Sequence, residues 1–336
     1  MDSLITVAVD AMGGDDAPQV VLDGVAQALQ EAPQLTVLLC GPEEVVAPFA
    51  AAHERCEAVP CTEVIGMGEH PAKAVREKKD SSIVVGCQLV KDGRAAGFFT
   101  AGSTGAGLTA GTLVIGRIKG VKRPAIATAV PKPGRPLVLC DVGANADCKA
   151  AYLVQFAQMA SVYAQLVLGV EQPEVGLLNI GSEDAKGSQF AQECFALLRE
   201  HVPNFKGNAE GTSLLTDQFD VIVTDGFTGN VCLKTFEGTA SYLFGQLKKA
   251  LAAAAQAGGT GSGAGLSAGL GQLSKQLDAD AMGGAPILGL KGTVLIGHGA
   301  SNARAIKNGV LTTARCIELG VTEVTEQAVA QAAVKE

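Results

Sequence analysis

Six times along the chain a short apolar run passes directly into a glycine-rich polar turn. The segments are VAVDAMGGDDAP (7–18), GFFTAGSTGAG (97–107), LVLCDVGANADCK (137–149), VGLLNIGSEDAKG (175–187), VIVTDGFTGN (221–230) and VLIGHGASN (294–302). Apolar runs this short, bounded by turn residues, read as buried strands. Helical spacing fills the intervals. The first strand, at 5–9, ends at Asp10, and Asp16 with Gln19 has the form of a capping box. Pro18 suits a first helical turn, after which Val21, Val25, Ala28 and Leu29 share one face. A second strand follows at 35–40. From Asp147, a candidate cap, a stripe of Tyr152, Phe156, Met159, Tyr163 and Leu166 runs at helical spacing to Gly169. That stripe is assigned to the core or a subunit interface, not to a cofactor. Strand alternating with helix predicts an α/β protein with a mostly parallel sheet and crossover helices. Ligands of such sheets bind outside the carboxyl ends of the strands, so all six turns are expected on one edge, lining an anion-accepting cleft.

One stretch breaks the pattern. Residues 250–285 open with the low-complexity run AAAAQAGGTGSGAG, then place Leu266, Leu270, Leu273 and Leu277 at spacings of four, three and four. This amphipathic helix either packs on a neighbouring helix or subunit, or touches a membrane surface as part of a projecting hairpin at about 245–285.

Composition narrows the class without changing it. The 336 residues are 47% apolar with 42 glycines, no tryptophan and 4% aromatic residues, which fits one large glycine-looped α/β domain and excludes a disordered chain. A net charge of −8 argues against general nucleic-acid binding. No signal peptide and no apolar run of membrane-spanning length is evident, so the expected location is the cytosol. The nine cysteines are scattered without a CxxC, and the four histidines form no HExxH, so no metal is expected. Cys40, Cys87, Cys140 and Cys232 read as core residues, with Cys148 the one loop thiol of interest.

Candidate chemistry sits on the turns. Ser103, Thr104 and Gly105 form a loop able to cradle an oxyanion, but neither a Walker loop nor a GxGxxG is present. Lys186 is either a solvated charge or a cation held over the site. Asp225 with Asn230, and His298 with Asn302, occupy the corresponding strand-end positions. Between 117 and 135 the chain carries Arg117, Lys119, Lys122, Arg123, Lys132 and Arg135 with no acidic residue. This strip is either a solvated face or a dock for an acidic partner or a phosphate-bearing substrate.

The order VAVDAMGGDDAP, HPAKAVREKKDSS, AGSTGA, RPAIATAVP, DVGANADCK, LLNIGSEDAKG, GNAEG, TDGFTGNVCLK, GGAPILGLKG and GHGASNA resembles the phosphate acyltransferase family known as PlsX. The resemblance runs from about residue 5 to 310. It departs at Ser103 and Ser188, where the family usually has Asn, and at Met282, where an aromatic residue is usual. It implies a three-layer α/β/α fold related to the isocitrate and isopropylmalate dehydrogenases and to phosphotransacetylase. It also implies acyl phosphate formation from acyl-acyl carrier protein and inorganic phosphate, an early step of phospholipid synthesis, with no cofactor. A homodimer is implied too, with peripheral attachment to the inner face of the cell membrane, near the downstream membrane acyltransferase. The membrane contact would involve Leu266, Leu270, Leu273 and Leu277. Carrier-protein docking would fall on Arg117, Lys119, Lys122 and Arg123.

Phosphate attacking a thioester needs no enzyme nucleophile, since phosphate is already an anion and a thiolate leaves readily. The protein must position phosphate and stabilise an oxyanion. The expected catalytic set is Lys186 and Asn230 for the anionic centre and His298 as acid for the leaving thiolate. Phosphate and substrate would be bound by Gly13, Gly14, Ser103, Thr104, Gly105, Gly143, Asn145, Gly181, Gly226, Gly229 and Asn302. Asp10, Asp141 and Asp225 either orient donors or serve as turn and cap residues. Three rivals remain: a phosphotransacetylase-like enzyme using acyl-CoA, a metal- and NAD-dependent dehydrogenase of related fold, and a membrane-associated scaffold that binds carrier protein without chemistry.

Overall fold

The computed structural model describes residues 4–132, 134–256 and 283–331. Among them eleven strands form one sheet. In chain order these are β1 (Ile5–Asp10), β2 (Leu35–Gly41), β3 (Cys56–Pro60), β4 (Gly97–Thr100), β5 (Ala125–Val130), β6 (Leu137–Cys140), β7 (Val175–Leu178), β8 (Phe205–Ala209), β9 (Val221–Val223), β10 (Ala285–Leu288) and β11 (Thr293–Ile296). Their order across the sheet is β3-β2-β1-β4-β11-β10-β5-β6-β9-β7-β8.

The first five strands of that order are mutually parallel, and so are the last four. Between them β10 is antiparallel to both β11 and β5, and β5 is antiparallel to β6. The three reversals leave the two parallel halves running in opposite directions. The six glycine-rich turns therefore do not share one edge, as expected from sequence. Those after β1, β4 and β11 lie on one edge, and those after β6, β7 and β9 on the opposite edge. Since β10 is four residues long, the edges stand only about 13 Å apart at the centre of the sheet.

Alternate residues of each strand face opposite cores. Val7 and Val9 point to one cluster and Ala8 to the other; Val138 and Cys140 share the first, Leu137 and Leu139 the second. On the first face pack α1 (Gln19–Glu31), α6 (Ala150–Val167), α7 (Gln189–His201), α9 (Ala303–Glu318) and α10 (Val321–Gln331). On the second pack α3 (Pro71–Glu77), α4 (Ser82–Lys91) and α5 (Thr104–Ala110), joined by the first turns of α8 (Gly226–Gln256). A further helix, α2 (Glu43–Ala51), follows β2. The result is the three-layer α/β/α arrangement.

Two helix starts differ from expectation. Helix α1 begins only at Gln19, with Pro18 in the cap position and no side-chain cap, so Asp16 and Gln19 form no capping box. Helix α6 begins at Ala150 after Lys149, again without a side-chain cap, so Asp147 does not cap it. Its aromatic stripe is core: Phe156, Met159 and Tyr163 are buried, with Tyr152 and Leu166 packed beside them. Residues 257–282, which include Leu266, Leu270, Leu273, Leu277, Met282 and most of the expected hairpin, lie outside the described residues. Among the described residues no helix is long and apolar enough to cross a membrane.

Candidate active site

Each edge is organised around one buried aspartate at a strand end. On the first edge Asp10 accepts hydrogen bonds from the amide of Met12 (3.0 Å) and the hydroxyl of Thr100 (2.7 Å), and the amide of Gly102 donates to that hydroxyl (2.9 Å). One carboxylate thus ties the turn after β1 to the turn after β4. Burial pushes the Asp10 carboxyl above its ordinary range, while hydrogen bonds from Ser82, Thr100 and Met12 oppose the shift. Gly13 sits where these turns meet, since a side chain there would lie 2.7 Å from the amide nitrogen of Gly102. Beyond it Gly14 leads to Asp15, whose amide donates to the carbonyl of Gly299 (2.7 Å).

On the second edge Asp141 collects five donors. One oxygen accepts from the amides of Ile126 (3.0 Å), Gly143 (3.2 Å) and Ala144 (3.0 Å), the other from the amide (2.8 Å) and side chain (2.9 Å) of Asn145. Its carboxyl is raised by burial against the pull of these bonds. Asn145 also donates to the carbonyl of Pro124 (2.8 Å) and accepts at its own carbonyl from Gly226 (2.7 Å). Asp225 accepts from the amide (2.8 Å) and hydroxyl (2.7 Å) of Thr228, closing the first turn of α8.

Helix-capping claims two more expected site residues, Ser103 and Asn302, and also Ser188. The hydroxyl of Ser103 accepts from Ala106 (3.4 Å) at the start of α5, and that of Ser188 from Ala191 (3.2 Å) at the start of α7. Serine and asparagine both make good caps, so capping at these two positions is open to either residue. Asn302 accepts from Ala305 (3.0 Å) and caps α9.

Between the two edges, on the second face, lies a cavity of about 420 Å³. At one end it is lined by Asp15, Met67, Gly102, Thr104, His298, Gly299 and Ser301, at the other by Val142, Asn230, Leu233, Lys234 and Glu237. Ile126, Thr128, Ala285 and Ile296 form its floor along β5, β10 and β11, and Gly283 and Gly284 close it beside α9. Polar groups at both ends and an apolar floor suit a substrate with a charged reacting end and a hydrocarbon part. His298 is exposed here, and its Nδ1 accepts from the amide of Ala300 (3.2 Å). In the neutral ring the proton is thereby placed on Nε2, a donor.

Of the expected catalytic residues, Asn230 and His298 line the cavity. Lys186 does not; it is exposed on the loop after β7, 3.6 Å from Glu183 and beside Gly181. Thr104 and Gly102 line the cavity, whereas Gly105 packs on Pro71. Lys234 and Glu237 are cavity residues the sequence reading missed. The signal was available, because Asn230, Leu233, Lys234 and Glu237 recur at helical spacing once TDGFTGNVCLK is read as a helix start. Cys148 is half-buried, its thiol pushed up to about 11 by burial and then by the carboxylates of Asp141, Asp225 and Asp147. A thiol raised in this way is poorly suited to act as a nucleophile. Arg117, Lys119, Lys122 and Arg123 are all exposed, and the strip runs into Pro124 beside Asn145.

Residues 5–324 match the family model described as "Fatty acid synthesis protein". A phosphate acyltransferase of Desulfitobacterium hafniense (strain Y51) is 45% identical over 324 residues, covering 95% of this chain and 96% of that protein. One from Staphylococcus epidermidis is 43% identical over 309 residues, with coverages of 91% and 94%. Among solved structures, a phosphotransacetylase from Streptococcus pyogenes matches with a TM-score of 0.61 at 16% identity, covering 94% of each chain. A branched-chain phosphotransacylase from Enterococcus faecalis V583 also gives 0.61, at 14% identity, covering 94% of this chain and 99% of that one. At those identities the structural likeness concerns the fold alone.

Proposed function

The chain belongs to the phosphate acyltransferase family, and from that membership we propose that it moves an acyl group from acyl-acyl carrier protein to inorganic phosphate. A phosphate oxygen attacks the thioester carbon, a C–O bond forms, and the C–S bond breaks with its electron pair leaving on sulfur. The products are an acyl phosphate and, once the sulfur takes up a proton, the free carrier thiol. The observation that carries this reading is the two-ended cavity, with Thr104 and His298 at one polar end, Asn230 at the other and apolar strands between. Nothing in the reaction requires an enzyme nucleophile, in keeping with a Cys148 thiol that burial raises.

In this reading Asn230 donates to the oxyanion, where one such donor is typically worth about 3 kcal/mol. The Nε2–H of His298 faces the departing sulfur. Lys186 lies outside the cavity lining, exposed on the same edge as Asn230, and is assigned as a source of positive charge for the anionic centre. The acidic carrier docks on Arg117, Lys119, Lys122 and Arg123. We also assign to the family role a homodimer and a peripheral membrane contact through the segment around 245–285. Tyr242, Leu243 and Leu247, exposed along α8 as it enters that segment, support such a contact.

The test uses palmitoyl-acyl carrier protein and phosphate without added metal or nucleotide, trapping acyl phosphate with hydroxylamine and counting released thiol in parallel. Both products should form, in equal amounts, only when phosphate is present. A folded protein that makes neither would refute the acyltransferase reading. Turnover with palmitoyl-CoA but not with the carrier thioester would move the donor to CoA. In the same assay Lys186→Ala is expected to lose at least about 100-fold in turnover, the scale of a lost oxyanion donor, and near-normal turnover would remove Lys186 from the mechanism.

A further inference from the structure

Lys234 is the one lysine or arginine among the described residues that line the cavity. It stands one helical turn beyond Asn230 on the same face of α8, so its ammonium and the Asn230 amide address the same space. Its Nζ is held 2.7 Å from the carboxylate of Glu237, three residues further on and also in the cavity wall. The two side chains are 51% and 40% exposed. An ion pair this exposed is weak, so an incoming anion can take over the ammonium at little cost. The remaining charged lining residue, Asp15, is acidic and belongs to the opposite end of the cavity. Without Lys234 the lining would offer an anion two carboxylates and no cation.

We propose that Lys234 is the phosphate-binding cation of the cavity, and that Glu237 is its positioning residue, holding the ammonium against the wall until phosphate displaces it. The inference rests on the reading that the cavity takes inorganic phosphate. It deepens that reading by naming the group that binds the anion and the carboxylate that competes with it. Because Glu237 and phosphate contend for one ammonium, removing the carboxylate charge and removing the ammonium must act in opposite directions on phosphate affinity. A merely structural ion pair predicts no such opposition, since breaking it from either side loses the same contact.

The experiment compares wild type with Lys234→Met, Lys234→Arg and Glu237→Gln, by steady-state kinetics in phosphate and by titration calorimetry of inorganic phosphate into the protein without acyl donor. Lys234→Met should raise the phosphate KM at least tenfold, while the KM for the acyl donor changes less than twofold. Lys234→Arg should recover most of that loss, and Glu237→Gln should lower the phosphate KM by about two- to fivefold, by removing the competing charge. The calorimetric affinities should move in the same directions. A phosphate KM unchanged in Lys234→Met, or shifted in the same direction by Met and Gln, would overturn the proposal. Where Lys234→Met fails to fold, the direction of the conservative Glu237→Gln change decides. Wild type that binds phosphate without transferring acyl groups would refute the acyltransferase reading and leave Lys234 to be judged by calorimetry; wild type that binds no phosphate would refute the Lys234 assignment.

Discussion

Asp141→Ala is expected to cost about 3–4 kcal/mol of stability, because the carboxylate accepts five N–H donors within 3.2 Å and is itself buried. Four of those donors are backbone amides held by the turn and by the start of β5, and a methyl group offers them nothing. Spread over a chain of 336 residues, the loss should lower the melting temperature by only about 5 °C, so the variant remains testable. Its turnover, measured well below that temperature, should nevertheless fall by roughly 100-fold. The turn from Val142 to Asn145 borders the cavity and holds Gly226 at the head of α8, and a shift near 1 Å there is enough for such a loss. Asp141→Asn keeps one oxygen for Ile126, Gly143 and Ala144 but turns an amide toward the Asn145 donors, so it should fall between. Differential scanning calorimetry with single-turnover kinetics measures both quantities. An alanine variant as stable and as active as wild type would mean that the turn does not depend on this carboxylate.

The same aspartate marks what was and was not legible in the sequence. Apolar runs ending at Asp10 and Asp141, each followed by glycine and small polar residues, announced β1, β6 and their turns, because burial and turn chemistry are local properties. Strand direction is not local. The period-two pattern of a strand is identical whichever way it runs, and β10 pairs with β5, a partner some 160 residues upstream. The reversal of the second half, and with it the division of the turns between two edges, was therefore hidden. Helix starts were missed by a few residues where a polar residue near the boundary was available but unused, as with Asp16 and Asp147. The loss of Lys234 and Glu237 from the expected site has a related cause. TDGFTGN has the composition of a turn, yet helix begins at Gly226, which converts the rest of the motif from loop to helical face. Of the residues that α8 carries into the cavity wall, Asn230, still inside the turn-like motif, was found, whereas Leu233, Lys234 and Glu237, beyond it, were not.

That crossing also holds the most closely packed glycine among the described residues, and it makes the second large effect predictable. Gly229→Ala is expected to lose at least about 3 kcal/mol of stability and nearly all turnover. A β-carbon at this position would lie 1.9 Å from the carbonyl oxygen of Asp141 and 3.1 Å from its carbonyl carbon. These are backbone atoms of a turn already fixed by five hydrogen bonds, so they have no rotamer by which to give way. Relief requires the first turns of α8 to lift from the sheet, and those turns carry Asn230, Leu233, Lys234 and Glu237 into the cavity wall. Helix propensity alone would predict the opposite sign, since Ala is favoured over Gly within a helix by roughly 0.5–1 kcal/mol. Gly238→Ala supplies that comparison in the same helix, where a β-carbon meets nothing within 4 Å and the residue is exposed. It should be slightly stabilising and leave the cavity wall in place. Urea denaturation of the two variants side by side separates the effects: a large loss confined to Gly229→Ala assigns the cost to contact with Asp141, whereas similar small changes in both would show that α8 sits farther from that turn.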